Sequence, residues 1–192
     1  MADGAGVGEH RDELLSNLSG TVVEVGSGPG SNFIHYPATV REVIALEPEP
    51  YLRERSFRAP SKVPVRVLGA IAEQLPIATG SVDAVVFALV LCSVTSPLVA
   101  LHEAARILRD GGQLRFYEHV RSLDPRLARR QDRVDLVWPH IAGGCHCNRD
   151  TESYIAAAGF RTTSIRHLEF RPRGISLPVS PHVIGSAVTA PA

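Results

Sequence analysis

The sequence predicts an α/β fold: a doubly wound, mostly parallel seven-stranded sheet that ends in a C-terminal antiparallel hairpin. Three observations carry that reading. Short, nearly continuous apolar runs alternate with helical patterns, the order that builds right-handed βαβ units and a sheet covered on both faces. A glycine-rich turn follows the first such run, in "VVEVGSGPGSN" (Val22 to Asn32). The last two runs are joined with no crossover helix between them, which makes them an antiparallel pair at the sheet edge.

The elements follow in order. The first ten residues read as a flexible tail, and "EHRDELLSNLSG" as a short helix ending at Gly20. Strands are expected at 21–26, 40–48, 63–70, 82–90 and 112–120. Between the last two, "SPLVALHEAARILRDGG" places Leu98, Leu101, Ala105 and Leu108 at a helical 3-4 spacing. Pro97 suits its first turn, and Gly111-Gly112 mark the expected stop. A second helix, "RDTESYIAAAGF", is capped near Asp150 or Thr151 and leads through Gly159 into the strand "TTSIRHLEF". After the proline-punctuated link "RPRGISLPVSPH" comes the final strand, "VIGSAVTA". This divides the chain into a tail and short helix over 1–20 and one domain over 21–192.

Composition narrows the function. With 192 residues and 44% hydrophobic content, one continuous core is expected. Lys+Arg 20 balance Asp+Glu 20, so no global basic field exists to attract nucleic acid or anionic lipid. Lys62 is the only lysine, which reads as the bias of a GC-rich bacterial genome. Three cysteines, an odd number, argue against a disulfide framework and for a reducing compartment. The N-terminus has no signal-like apolar region, and no apolar run approaches the ~18 residues of a membrane span. A cytoplasmic protein without stable membrane insertion is expected.

The glycine turn asks what lies against it. Open doubly wound sheets bind ligands beyond the carboxyl ends of their strands, where strand order reverses. Gly26, Gly28 and Gly30 let backbone amides approach a ligand closely, and Glu47 ends the second strand, where it can accept hydrogen bonds from a ribose diol. The pair indicates an adenosine-bearing ligand. A dinucleotide would favour glycine at position 31, where this chain has Ser31. A Walker phosphate loop is excluded, because no Gly-Lys-Ser/Thr closes the turn.

Across 21–192 the chain resembles the class I S-adenosylmethionine-dependent methyltransferases, a Rossmann-like family. "VVEVGSGPG" is similar to their first motif, "ALEP" to their ribose-binding acid, "GAIAEQLPIATGSVDAVV" to their adenine-side loop and fourth strand, and "LHEAARILRDGGQLRFYEHV" to the helix, turn and fifth strand. "FALVLCSV", "FYEHV", "DLVWPHIAGGCHCNRDT" and "SPHVIGSAV" resemble the group that includes the mammalian alkyl thiol S-methyltransferases and their bacterial relatives. The resemblance implies S-adenosylmethionine as cofactor, S-adenosylhomocysteine as product, and a small thiol as methyl acceptor. At the matching positions it implies a cofactor site of Glu24, Gly26, Ser27, Gly28, Gly30, Asn32, Glu47, Pro48, Ala72, Glu73 and Leu89.

Departures from the pattern matter too. Ile71 stands where many such enzymes carry an aspartate, which leaves adenine recognition to the Ala72 backbone or Glu73. The apolar N-terminal segment of the mammalian members has no counterpart here, so membrane residence does not carry over. The region before the first strand is short, so a large substrate or an oligomeric neighbour would complete the pocket; a homodimer is one expectation.

A sulfonium methyl is already electrophilic, so the protein has mainly to align the acceptor and exclude water. A thiol reacts as its thiolate, and a neighbouring base raises that fraction. His119, at the end of the fifth strand, is the candidate catalytic base. Strand alternation sends Glu118 to the opposite face. Cys92, Glu118, Trp138 and His146 are the candidate acceptor-side residues, with Asn148 beside them. Cys145-His146-Cys147 lacks the usual zinc spacing and a fourth ligand, so no metal is expected. "RSLDPRLARRQDR" interleaves arginine with aspartate and reads as a solvated helix face. Methylation of carbon or oxygen on a quinone or phenol, a nicotinamide-dependent oxidoreductase, and a cofactor-binding module without catalysis stay open as alternatives.

Overall fold

The computed structural model describes residues 7–170 and 177–189. Its strands are β1 (Gly20–Val25), β2 (Val40–Leu46), β3 (Val65–Leu68), β4 (Val82–Ala88), β5 (Leu108–His119), β6 (Phe160–Glu169) and β7 (Pro181–Thr189). They form one sheet in the order β3-β2-β1-β4-β5-β7-β6. The first five are mutually parallel, and β7 runs antiparallel to both β5 and β6. β7 thus inserts between β5 and β6 to make the expected terminal hairpin. Strand order reverses between β1 and β4, which opens a crevice at their carboxyl ends.

Among the described residues six α-helices accompany the sheet: α1 (Val7–Leu15), α2 (Pro50–Ser56), α3 (Pro97–Ile107), α4 (Pro125–Val134), α5 (Trp138–Ile141) and α6 (Thr151–Ala157). The central strands are apolar on both faces because both faces are covered. On one, Leu101, Ala104 and Ile107 of α3 pack with Val85, Phe87, Leu114 and Phe116. On the other, Leu14 and Leu15 of α1 join Phe33 and Tyr36 against Val22, Val43, Val86 and Tyr117. Each large buried side chain contributes about 1.5–3 kcal/mol, so both layers hold the sheet.

Several boundaries differ from the sequence reading. The N-terminal helix starts at Val7, inside the expected tail, and stops at Leu15 rather than Gly20, because Asn17 turns the chain through a positive φ of 59°. α3 stops at Ile107, well before Gly111-Gly112. The backbone N–H groups of Gly80 and Ser81 take the carbonyls of Arg106 and Ile107, and Leu108 pairs at once with Val82. β5 therefore begins four residues earlier than expected. The start of the expected tail (1–6), residues 171–176 of the link and Ala190 of the last strand lie outside the described residues.

The insert between β5 and α6 is helical. Asp124 caps α4 by accepting from the Arg126 N–H, with Pro125 in the first turn. The arginines of α4 face outward as expected, but its buried Gln131 donates to the carbonyls of Val120, Cys147 and Pro178. One amide thereby ties the insert to the end of β5 and to the chain before β7.

Candidate active site

A cavity of about 610 Å³ opens at the carboxyl ends of β1, β2 and β4. Its floor is the turn after β1. Gly26 and Ser27 donate their N–H groups to the Leu46 carbonyl, so the turn is stitched to the end of β2. Gly28 and Gly26 have φ of 55° and 66°, where glycine alone is unstrained. A Cβ on Gly26 would meet the Val90 side chain at 2.5 Å, whereas one on Gly28 would meet nothing within 4 Å. Gly26 is required by packing, and Gly28 leaves room for a ligand.

Acidic groups surround the turn. Glu47 accepts from the Gly28 N–H at 2.7 Å and from the Glu49 N–H at 2.9 Å. Glu24 is buried and accepts from Asn32 Nδ2 and from the Tyr36 hydroxyl, both at 2.8 Å. Burial pushes the Glu24 carboxyl up to about 7, against the pull of those two bonds and of Arg11. Arg11, from α1, hydrogen-bonds Asn32 through Nη1, while its Nε is buried without a partner. Among the described residues it is the one cationic side chain lining the cavity.

The far wall is the loop after β4. Leu89 lies in the left-handed region at φ 61°, its N–H held by the Tyr117 carbonyl. Strain of this kind persists only where its surroundings fix it. The fixing group is Glu118, whose carboxylate accepts from the N–H groups of Val90, Leu91 and Cys92. Arg149 donates to the Leu91 carbonyl, and the His146 N–H to that of Cys92.

Behind this wall Cys92, His119 and Cys145 come together. Cys145 Sγ lies 3.5 Å from Cys92 Sγ and 3.3 Å from His119 Nδ1. The hydrogen bond with Cys92 and then the one with His119 hold the Cys145 thiol below the usual range, against burial. Cys92 is pushed up by that same bond, by burial and by Glu118. Of the two thiols, Cys145 is the one favoured to ionise. The His182 ring stands 4.4 Å from the His119 ring, and burial holds His182 down at about 4, so it stays neutral.

Of the expected cofactor residues, Glu24, Gly26, Ser27, Gly28, Asn32, Glu47, Pro48, Ala72, Glu73 and Leu89 line the cavity. Gly30 does not; its positive φ closes the turn over Phe33. Glu73 also accepts from the N–H of Ser96, at the start of α3. The acceptor-side residues stand differently. Glu118 is a correction, since its carboxylate is consumed by three backbone donors. His146 does not line the cavity, and one of its ring nitrogens bonds Asp135 at 2.7 Å. Cys92, Trp138 and His119 lie behind the wall, which is formed instead by Ser93, Val94, Thr95 and Gly143. Arg11 and Gly143 escaped the sequence reading because their place on the cavity is set by how α1 and the insert pack, not by local spacing. The only signal was a cysteine and a glycine pair in the insert.

These residues fit S-adenosylmethionine. Ser27 lines the cavity and its buried Oγ has no partner, Gly28 leaves a methyl-sized space, Glu47 suits a diol, and Arg11 suits a carboxylate. Leu52, Ile71, Ala72 and Leu89 supply apolar wall for a base.

Comparison with known proteins agrees with the geometry. Residues 23–116 match the family described as a methyltransferase domain. Thiol S-methyltransferase TMT1B of Rattus norvegicus is 37% identical over 175 residues, covering 88% of this chain and 70% of that protein. The Homo sapiens TMT1B is 37% identical over 185 residues, 91% of this chain and 73% of that one. An S-adenosylmethionine-dependent methyltransferase structure from Mesorhizobium loti superposes with a TM-score of 0.70 at 19% identity, over 97% of this chain and 99% of that one. Sheet order, glycine turn and family match together define a class I S-adenosylmethionine-dependent methyltransferase. The chain belongs to the methyltransferase family that contains the mammalian proteins TMT1A and TMT1B.

Proposed function

We propose that the protein transfers the methyl group of S-adenosylmethionine to the sulfur of a small thiol. The observation that carries this reading is the extent of similarity to the thiol S-methyltransferases. The methyltransferase-domain match stops at residue 116, but those alignments span 175 to 190 residues and so run into the insert that closes the acceptor side.

The cofactor supplies an activated methyl group; the chain supplies position and charge. Glu47 would hold the ribose hydroxyls and the Gly26–Gly28 turn with Arg11 and Ser27 the methionine end, while the loop fixed by Glu118 would wall the cavity on the side of the insert. His119, which stands behind the wall, is the candidate base for the acceptor thiol, and Cys145 at its Nδ1 orients the ring. No described helix is long and apolar enough to cross a membrane. With three free cysteines and balanced charge, the reading includes the cytoplasm of a bacterium and no nucleic-acid partner. The insert exposes Leu136, Val137 and Ile141, which supports a second copy of the chain over the acceptor side.

The test is turnover with sulfide, alkyl and aryl thiols, phenols and quinols, reading S-adenosylhomocysteine and methylated product by mass spectrometry. A methyl thioether is the expected product. Methylation of a phenol or quinol alone would overturn the thiol assignment.

A further inference from the structure

We propose that Cys92, His119 and Cys145 form a binding site for one Zn2+ ion. The three residues come from the loop after β4, the last position of β5 and the loop after α5, so no spacing along the chain announces them. Their ligand atoms, two thiol sulfurs and an imidazole nitrogen, all lie within 4.8 Å of one another. A tetrahedral zinc centre separates two sulfurs by about 3.8 Å and a sulfur from a nitrogen by about 3.5 Å, from its usual bond lengths. Here the separations are 3.5 and 3.3 Å. Both separations that involve Cys145 are therefore within a few tenths of an ångström of ligation, and Cys92 and His119 lie within 4.8 Å of each other before any ion enters.

The donor chemistry selects the ion. Two thiolates and an imidazole are the soft, tetrahedral set that zinc prefers over magnesium or calcium. Cys92 and Cys145 are buried at 1% and 6% exposure, where two thiolates need a cation to balance them. Surrounding groups hold the ligands in place. Glu118 fixes the Cys92 backbone, Ser93 Oγ lies 3.5 Å from Cys92 Sγ, and the neutral His182 ring packs on His119. The Trp138 indole N–H, buried without a conventional partner, adds a donor beside Cys145. Such outer contacts set ligand orientation in metal sites.

Three protein ligands leave a fourth position open, the pattern of zinc sites that bind a reactant. Ser93, next to Cys92, and Gly143, two residues before Cys145, both line the cofactor cavity. Resting on the thiol reading above, the fourth ligand is the acceptor sulfur. Binding releases its proton to solvent and leaves a zinc-held thiolate. Methyl transfer then forms the new S–CH3 bond as the sulfonium C–S bond breaks, giving thioether and S-adenosylhomocysteine without any redox change. With the ion present, His119 Nδ1 is a ligand and the ion takes over the lowering of the thiol pKa.

The experiment uses untagged full-length protein, stripped with a chelator, kept reduced and titrated with Co2+. Expected are one equivalent bound, with the thiolate-to-cobalt charge-transfer band of a tetrahedral site, and its stoichiometric displacement by Zn2+. Cys92→Ser and Cys145→Ser should each weaken binding by about 100-fold or more, while Cys147→Ser leaves the band unchanged. Circular dichroism checks that the variants fold, and the wild-type spectrum reads the site even where they do not. Absence of the band in wild type, or its survival in a folded Cys145→Ser, would overturn the site. S-adenosylhomocysteine titration of the same stripped protein separates the readings: retained binding without a cobalt band removes the metal and leaves the methyltransferase assignment standing.

Discussion

Glu47 Oε2 accepts a 2.7 Å hydrogen bond from the backbone N–H of Gly28, tying the acid that follows β2 to the turn that follows β1. The carboxylate is thereby aimed over the cavity by a neighbour that is itself part of the site. Replacing it by Gln keeps the shape and one acceptor but removes the charge. Glu47→Gln should weaken S-adenosylhomocysteine binding by about 1.5–3 kcal/mol, the value of a charged hydrogen bond, with little change in Tm. Isothermal titration beside a thermal melt measures both. Unchanged affinity would remove Glu47 from the site.

Gly26 and Gly28 should separate packing from binding. Both have positive φ, so alanine costs roughly 1–2 kcal/mol at either position. At Gly26 the new methyl also meets Val90 at 2.5 Å, while at Gly28 it enters open space. Gly26→Ala should therefore lower Tm more than Gly28→Ala. Gly28→Ala should stay folded yet lose most of its affinity for S-adenosylhomocysteine. Equal melting and full binding in both would show that the turn does not approach the cofactor.

Glu24 should make stability depend on pH. Burial raises its folded pKa to about 7 from the ordinary 4.5, so between those values the folded state binds the proton more tightly than the unfolded chain. Stability is then highest below the unfolded pKa, falls as pH rises through the folded pKa, and levels above it. The full shift corresponds to about 3 kcal/mol. Glu118, also raised to about 7 by burial, adds in the same direction. Denaturant unfolding at pH 5, 6, 7 and 8 should show the decline. Glu24→Gln, which can still meet Asn32 and Tyr36, should flatten it; an unaltered slope would place the proton elsewhere.

Different parts of this molecule were legible to different degrees. Val22–Gly28 and Glu47 could be read because the turn after a central strand is built from consecutive residues, so its geometry is encoded locally. The hairpin of β6 and β7 was legible because no helical pattern separates the two strands in the sequence. The end of α3 was not, because the carbonyls of Arg106 and Ile107 are taken by Gly80 and Ser81, far earlier in the chain. Glu118 looked like a functional acid beside His119. Only the fold shows that its carboxylate meets three N–H groups from residues 90–92. Cys145 invited a reading with its chain neighbours His146 and Cys147, whereas its contacts are His119 and Cys92.

Arg11 yields the last prediction, because its charge is distinctive. The other charged residues lining the cavity, Glu24, Glu47, Glu49 and Glu73, are all acidic, so among the described residues Arg11 is the one cation there that could meet a carboxylate of the cofactor. Asn32 holds one arm of the guanidinium, and the buried Nε remains without a bond. Arg11→Gln should weaken S-adenosylhomocysteine by about 1.5–3 kcal/mol. It should leave 5′-methylthioadenosine, which lacks the carboxylate, nearly unaffected. Comparing the two ligands in wild type and variant cancels any general loosening of α1, which would weaken both alike. An equal loss for both would make Arg11 a support of the helix. Loss confined to the carboxylate-bearing ligand would make α1 part of the cofactor site.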